Sequence, residues 1–165
     1  MWRGSLVSVF IAPAGGAAMH EVREARAVPA RGLEGDRYFN ASGTYSDKPA
    51  RWGGRDVTLF EQEVIEALAR GERRRDDERI ITLRPEATRR NLLTRDVPLN
   101  HLVDRDFWVG EVKLRGVRLC EPCALLEEQT EKGMLAALLH RGGLRAEILQ
   151  PGTIRAGDEI RPASS

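Results

Sequence analysis

Short apolar runs cut off by glycine and proline decide what this chain can fold into. Ser5-Leu-Val-Ser-Val-Phe-Ile11 is rich in β-branched and aromatic residues and stops at Ala12-Pro13-Ala14-Gly15-Gly16, which predicts a strand followed by a turn. Residues 56–60, 79–83 and 106–109 read the same way, and the last joins a strand over 111–119 through Gly110 as a hairpin. Residues 147–149, 153–154 and 158–160, with Pro151-Gly152 as a turn, predict a closing β-unit. Three short helices interrupt the strands. Residues 61–69 set Val64, Ile65 and Leu68 on one stripe with Gly71 as a stop, and residues 85–93 begin with a proline suited to a first turn. Residues 132–141 carry Met134, Leu135, Leu138 and Leu139 on one face and end at Gly142-Gly143. Many strands and few helices predict a mainly β fold with short helices, of the α+β kind, closed or nearly closed into a β-barrel.

At 165 residues and 41% hydrophobic content, the chain supports one core and is short for two, so a single domain over 1–165 is expected. Its 26 basic and 25 acidic residues nearly cancel, which removes the whole-molecule field that would draw it to nucleic acid or a membrane surface. The mixed-sign run Glu72-Arg-Arg-Arg-Asp-Asp-Glu-Arg79 reads as a solvated loop. No segment approaches the roughly 18 apolar residues that span a bilayer, and no secretory leader is evident, so a cytosolic (cytoplasmic) location without nucleic-acid or membrane partners is expected.

The only two cysteines stand in Cys120-Glu121-Pro122-Cys123, at the end of the strand expected over 111–119. A thiolate is the soft ligand among common side chains and the one that forms disulfides and persulfides. A structural zinc site needs four ligands, and His20, His101 and His140 are scattered along the chain. A thioredoxin-like thiol-disulfide pair agrees with Pro122, but that fold starts a helix of a βαβ unit at the pair, and here only 42 residues follow Cys123. Buried packing is the third role, and it suits Cys120, which ends the alternation of Val117 and Leu119. Cys123 follows a proline that fixes the backbone and is the better candidate for a presented thiol.

Residues 35–54 are dense in Gly, Ser, Asn and Asp and carry Tyr38, Phe39, Tyr45 and Trp52, too long a stretch for a simple turn and therefore a candidate functional loop. At its start, Gly32-Leu-Glu-Gly35-Asp36-Arg37-Tyr38 has two readings. Asp36 and Arg37 order the loop as an internal ion pair, or Arg37 and the backbone N–H groups around Gly35 face an anion. On the residues alone, Arg89 and Arg90 read as an exposed helix face, although an arginine fork is a sound phosphate anchor. His140 reads as a helix-end cap or core-edge residue.

Five pieces in order, Gly32 to Tyr38, Arg55-Asp-Val-Thr-Leu59, Arg89-Arg90-Asn91, Glu121-Pro122-Cys123 and Gly152-Thr-Ile-Arg-Ala-Gly-Asp-Glu-Ile160, resemble MOSC domains, named for the C-terminal part of molybdenum cofactor sulfurase. The resemblance runs over about residues 5–160. It implies a MOSC-type β-barrel that binds the molybdenum cofactor (molybdopterin), a pterin with a dithiolene and a phosphate. It also implies that Cys123 is the catalytic thiol and the molybdenum ligand, or the carrier of a persulfide. In the amidoxime-reducing branch an Arg-x-Asn motif helps hold the cofactor. Arg89 and Asn91 match it, and Gly35, Asp36 and Arg37 join them as implied cofactor-binding residues.

The activity so implied is an oxidoreductase acting on N-hydroxylated compounds. The alternative is a sulfur carrier that passes a Cys123 persulfide to a partner. Larger relatives carry a further β-barrel, an iron–sulfur domain or a pyridoxal phosphate-dependent desulfurase domain. Here there is no four-cysteine cluster set and no desulfurase lysine site, hence no pyridoxal phosphate site to argue. A separate electron-donor or sulfur-donor protein and a small-molecule substrate are the expected partners.

Overall fold

The computed structural model describes residues 1–47, 53–72 and 80–164. Its strands are β1 (Gly4–Ile11), β2 (His20–Val22), β3 (Glu24–Val28), β4 (Gly32–Leu33), β5 (Val57–Glu61), β6 (Leu92–Arg95), β7 (Asp106–Val109), β8 (Val112–Leu119), β9 (Leu144–Gln150), β10 (Gly152–Arg155) and β11 (Glu159–Pro162). Helix α1 (Gln62–Ala69) follows β5, and α2 (Ala124–Gln129) and α3 (Met134–Ala137) lie between β8 and β9. Hydrogen bonding runs β11-β7-β8-β9-β5-β6-β1 and returns from β1 to β11, a closed seven-stranded barrel with β2 added along β1. β10, β3 and β4 form a second, small sheet.

Among the strands of the described residues every ladder is antiparallel except β5 with β6, where α1 supplies the crossover that parallel strands require. Alternation along these two strands explains their unbroken apolar sequence. Leu59 and Leu92 point into the barrel with Leu6, Leu99, Phe107, Leu114, Leu144 and Ile160. Phe60 and Leu93 point outward into a second core with Phe10, Val64, Leu68, Ile81, Met134 and Leu138. A strand covered on both faces has no polar side to show. Among the described residues no helix is long and apolar enough to cross a membrane.

The strand expected over 5–11, the hairpin turning at Gly110 and the helix over 61–69 all form. The helix expected over 85–93 does not. A single 3-10 turn, Pro85–Thr88, ends where Arg89 takes a left-handed conformation at φ 61°, and the chain then enters β6. Asn91 is pulled into the sheet, its N–H donating to Thr58 O at 3.1 Å and its carbonyl accepting from Phe10 N at 2.7 Å. Residues 80–83 make no ladder, because Ile81 and Leu83 sink separately into the second core; Arg79 and Trp52 lie outside the described residues. The helix expected over 132–141 shrinks to α3, and α2 appears just after Cys123, where none is expected from the sequence.

Candidate functional site

β8 ends at Leu119 and delivers the cysteine segment to the barrel rim. Cys120 is 1% exposed; its N–H donates to Gly143 O at 2.7 Å and its carbonyl accepts from Arg90 Nη2 at 3.2 Å. The close approach of the Gly142-Gly143 turn makes this possible: a Cβ on Gly142 would lie 2.4 Å from Cys120 O and 3.1 Å from Pro122 Cδ. Pro122 then swings the chain outward, and Cys123 caps α2 with its carbonyl while its thiol is exposed. Both thiols are free.

The thiols line one cavity of about 230 Å³ with Arg37, Tyr38, Tyr45, Thr58, Arg89, Arg90, Leu125 and Arg145. Four arginines meet there, and they differ in what remains of their hydrogen-bonding capacity. Arg37 is turned inward: Nη1 donates to Asp36 Oδ1 at 3.0 Å and to Met19 Sδ at 3.2 Å, and Nη2 donates to Arg89 O at 3.0 Å. Arg90 is engaged by the carbonyls of Gly142, Thr88 and Cys120. Arg89 donates Nη1 to Ala17 O, and Arg145 lies over the Tyr45 ring at 5.5 Å. Among the described residues Arg89, Arg90 and Arg145 have no carboxylate partner. The cavity is therefore cationic in a way the protein does not itself neutralise. Burial, then the neighbouring Arg37, pushes the Arg89 guanidinium below its usual range. Burial, then the charge at Cys123, pushes the Tyr45 hydroxyl up.

Of the residues singled out in the sequence, the fold brings Cys123, Arg37 and Arg89 to this cavity. Asp36 is wholly buried beside it; Oδ1 accepts from Ala12 N at 3.1 Å as well as from Arg37, so the pair orders the loop against β1. Gly35 supplies the positive φ, 87°, that this turn needs and stands off the cavity wall. Asn91 departs from its expected place. It is wholly buried, Oδ1 accepting from Thr58 N and Oγ1 and Nδ2 donating to Phe10 O, so its amide stitches β1, β5 and β6 together behind the wall. His140, at φ 62°, is exposed and bound to Glu121 at 3.1 Å through its N–H, a turn residue outside the cavity.

Arg145 carries no motif and is not identified from the sequence as a site residue; Thr58 lies in the Arg55–Leu59 piece and Tyr45 in the candidate functional loop, but neither is given a role there. The signal was alternation: in Leu144-Arg-Ala-Glu-Ile148 the apolar residues face the barrel, so Arg145 must face out beside the rim. Among the described residues no three His, Cys, Asp or Glu side chains gather as a metal cluster. A larger cavity, about 530 Å³, shares Tyr38 with it and is lined by no thiol.

No curated protein matches the chain. Among solved structures it resembles YuaD from Bacillus subtilis, 17% identical with 97% of each chain covered and a TM-score of 0.73. It also resembles YiiM from Escherichia coli, 19% identical over all of this chain and 71% of that one, with a TM-score of 0.66. YiiM from Geobacillus stearothermophilus is 12% identical over 98% of this chain and 75% of that one, also at 0.66. At these identities the likeness speaks to the barrel alone. The MOSC domain model, in contrast, matches the sequence itself over residues 45–161, from the loop carrying Tyr45 through the cysteines to β11. This chain belongs to the MOSC domain family.

Proposed function

We propose that the thiol cavity binds the molybdenum cofactor, with which MOSC domains are associated, and that the protein reduces N-hydroxylated small molecules with electrons from a separate protein donor. The observation that carries this reading is an exposed Cys123 thiol sharing one cavity with three arginines that lack a carboxylate partner among the described residues. The residues fit the group. A soft sulfur donor suits molybdenum already held by dithiolene sulfurs, and unneutralised guanidinium groups suit a phosphate.

Cys123 would be the metal's protein ligand, while Cys120, locked by its backbone and buried, only holds the segment in place. Arg89 and Arg145 keep N–H donors for the anionic end. Arg90, its fork occupied by carbonyls, contributes charge alone. Arg37 acts one step back, holding the Arg89 carbonyl and so the left-handed turn that aims Arg89. When bound, the cofactor supplies the electron pair for N–O cleavage. The overall change, R–NH–OH plus two electrons and two protons to R–NH2 plus water, also needs a proton source. Tyr45, one of the hydroxyl groups lining the cavity, is the donor proposed for that step.

The test is elemental. Protein made in a host that synthesises the cofactor should contain molybdenum and pterin in near-equal amount, and Cys123→Ser should lose both while folding normally. Metal-free protein carrying a persulfide on Cys123 would replace this reading with that of a sulfur carrier.

A further inference from the structure

Arg89 and Arg90 are neighbours in the chain and both line the thiol cavity, yet their side chains are committed differently. Arg89, in its left-handed conformation, has one bond, to Ala17 O, and keeps donors for an anion. Arg90 turns its fork to the backbone: Nη1 donates to Thr88 O at 3.1 Å, Nε to Gly142 O at 3.1 Å and Nη2 to Cys120 O at 3.2 Å. Its own N–H donates to Thr88 Oγ1 at 3.2 Å, and that hydroxyl donates to Pro85 O at 2.8 Å, so the main chain of Arg90 is tied to the 3-10 turn as well.

Two of these carbonyls lie just past the last rung of β8 and β9, where Leu119 faces Leu144. Beyond it the two chains share one more backbone bond, from Cys120 N to Gly143 O, and Arg90 brackets them together there. Carbonyl oxygens that converge on one place repel each other. A planar fork satisfies several of them at once, whereas an ammonium is a point charge on a different stem. What depends on the bracket is Cys123. Among the described residues its thiol has no hydrogen-bond partner, so the sulfur takes its place from the backbone. That backbone is held by Arg90 before it and by α2, through the Cys123 carbonyl, after it; between them Glu121 accepts from His140 N at 3.1 Å.

We infer that Arg90 is a positioning residue: it fixes the distance between the Cys123 sulfur and the guanidinium of Arg89, so that one ligand with a soft centre and an anionic end reaches both. The anion anchor and the bracket are consecutive residues, and movement of the cysteine segment relative to one is movement relative to the other. The inference rests on the cofactor reading for the identity of that ligand, but the spacing belongs to the cofactor-free protein.

Cofactor-free protein is therefore reacted with a series of ω-bromoalkylphosphonates of increasing chain length. The phosphonate is held by the arginines while the Cys123 sulfur displaces bromide and forms a thioether, located by mass spectrometry. The wild type should show saturation, with one chain length giving the highest limiting rate. Arg90→Lys keeps the charge and loses the fork. Its affinity for that reagent should stay within about threefold of the wild type while the limiting rate falls roughly tenfold or more, as for a reacting pair slightly misplaced. Arg89→Ala should instead weaken affinity, and neutral iodoacetamide should alkylate Cys123 equally fast in all three proteins. Should Arg90→Lys not fold, the wild type decides, by its chain-length preference and by an Arg90 Nε–H resonance that exchanges slowly with solvent. No length preference, a rapidly exchanging Arg90 Nε–H, an unchanged limiting rate in Arg90→Lys, a matching fall with iodoacetamide, or an affinity loss there equal to that of Arg89→Ala overturns the inference. If it stands and protein from a cofactor-synthesising host lacks molybdenum and pterin, the cofactor reading alone fails.

Discussion

Arg37 turns its guanidinium inward, to Asp36, Met19 and the Arg89 carbonyl, and so is a strut where the sequence left it divided between strut and ligand. Adjacent charges in a glycine-containing loop look alike in either role, and only the 0% exposure of Asp36 separates them. Asn91 and Arg89 sit two residues apart in one motif yet serve different ends. Asn91→Ala strips the partners of Thr58 N and Phe10 O inside the protein and should cost on the order of 1–3 kcal/mol of stability in cofactor-free protein, read by urea denaturation. Arg89→Ala, removing one bond to Ala17 O at a half-buried position, should change that curve little and reduce pterin retention roughly tenfold or more. Asp56 offers a pH test. Burial, ahead of the charge on Glu147, raises its pKa, so the folded protein holds this proton to higher pH than the unfolded chain. The stability it contributes is complete below about pH 3.9 and is lost as pH rises through the raised folded value. Unfolding midpoints of Asp56→Asn should therefore decline less than those of the wild type as pH rises over this range. Parallel curves would remove Asp56 as a source of the pH dependence.

At the scale of elements, legibility followed how far each segment's partners lie in sequence. The hairpin of β7 and β8 turns at Gly110 and α1 carries its own stripe, so both could be read locally. β6 could not, because Asn91-Leu-Leu-Thr is a strand only through Phe10, Thr58 and Leu59, and its two-sided burial erases the alternation that marks strands. The short strands β2, β3 and β4 carry too few residues to show a period. The Gly142-Gly143 turn, expected to stop a helix, also serves as the seat of the cysteine segment. Gly142→Ala would drive a methyl group into Cys120 O, and either the cysteine segment or β9 must shift. Molybdenum content should fall well below that of the wild type although no ligand has changed, with a stability loss of about 1–3 kcal/mol in thermal or urea unfolding.

As a whole molecule, the chain has a barrel whose rim carries the candidate chemistry and, in its sequence, no dinucleotide fingerprint. Cofactor-loaded protein given a reduced viologen should convert benzamidoxime to benzamidine, while nicotinamide alone should sustain no turnover; product formation by chromatography decides between them. The run of short strands made a closed or nearly closed barrel legible and the MOSC motifs its type, but neither showed which strands close it. Closure joins Gly4 to Ile160 and Ser5 to Glu159, and a side-chain bond links Arg3 to Glu159 across 156 positions. On a ribosome this seam cannot form until nearly the last strand has emerged. β1 must therefore wait, one edge partly unpaired, until β11 has been made. Folding then includes a long-range search along the chain, and the exposed edge of the waiting strand is where a crowded nascent molecule is most apt to pair with a stranger.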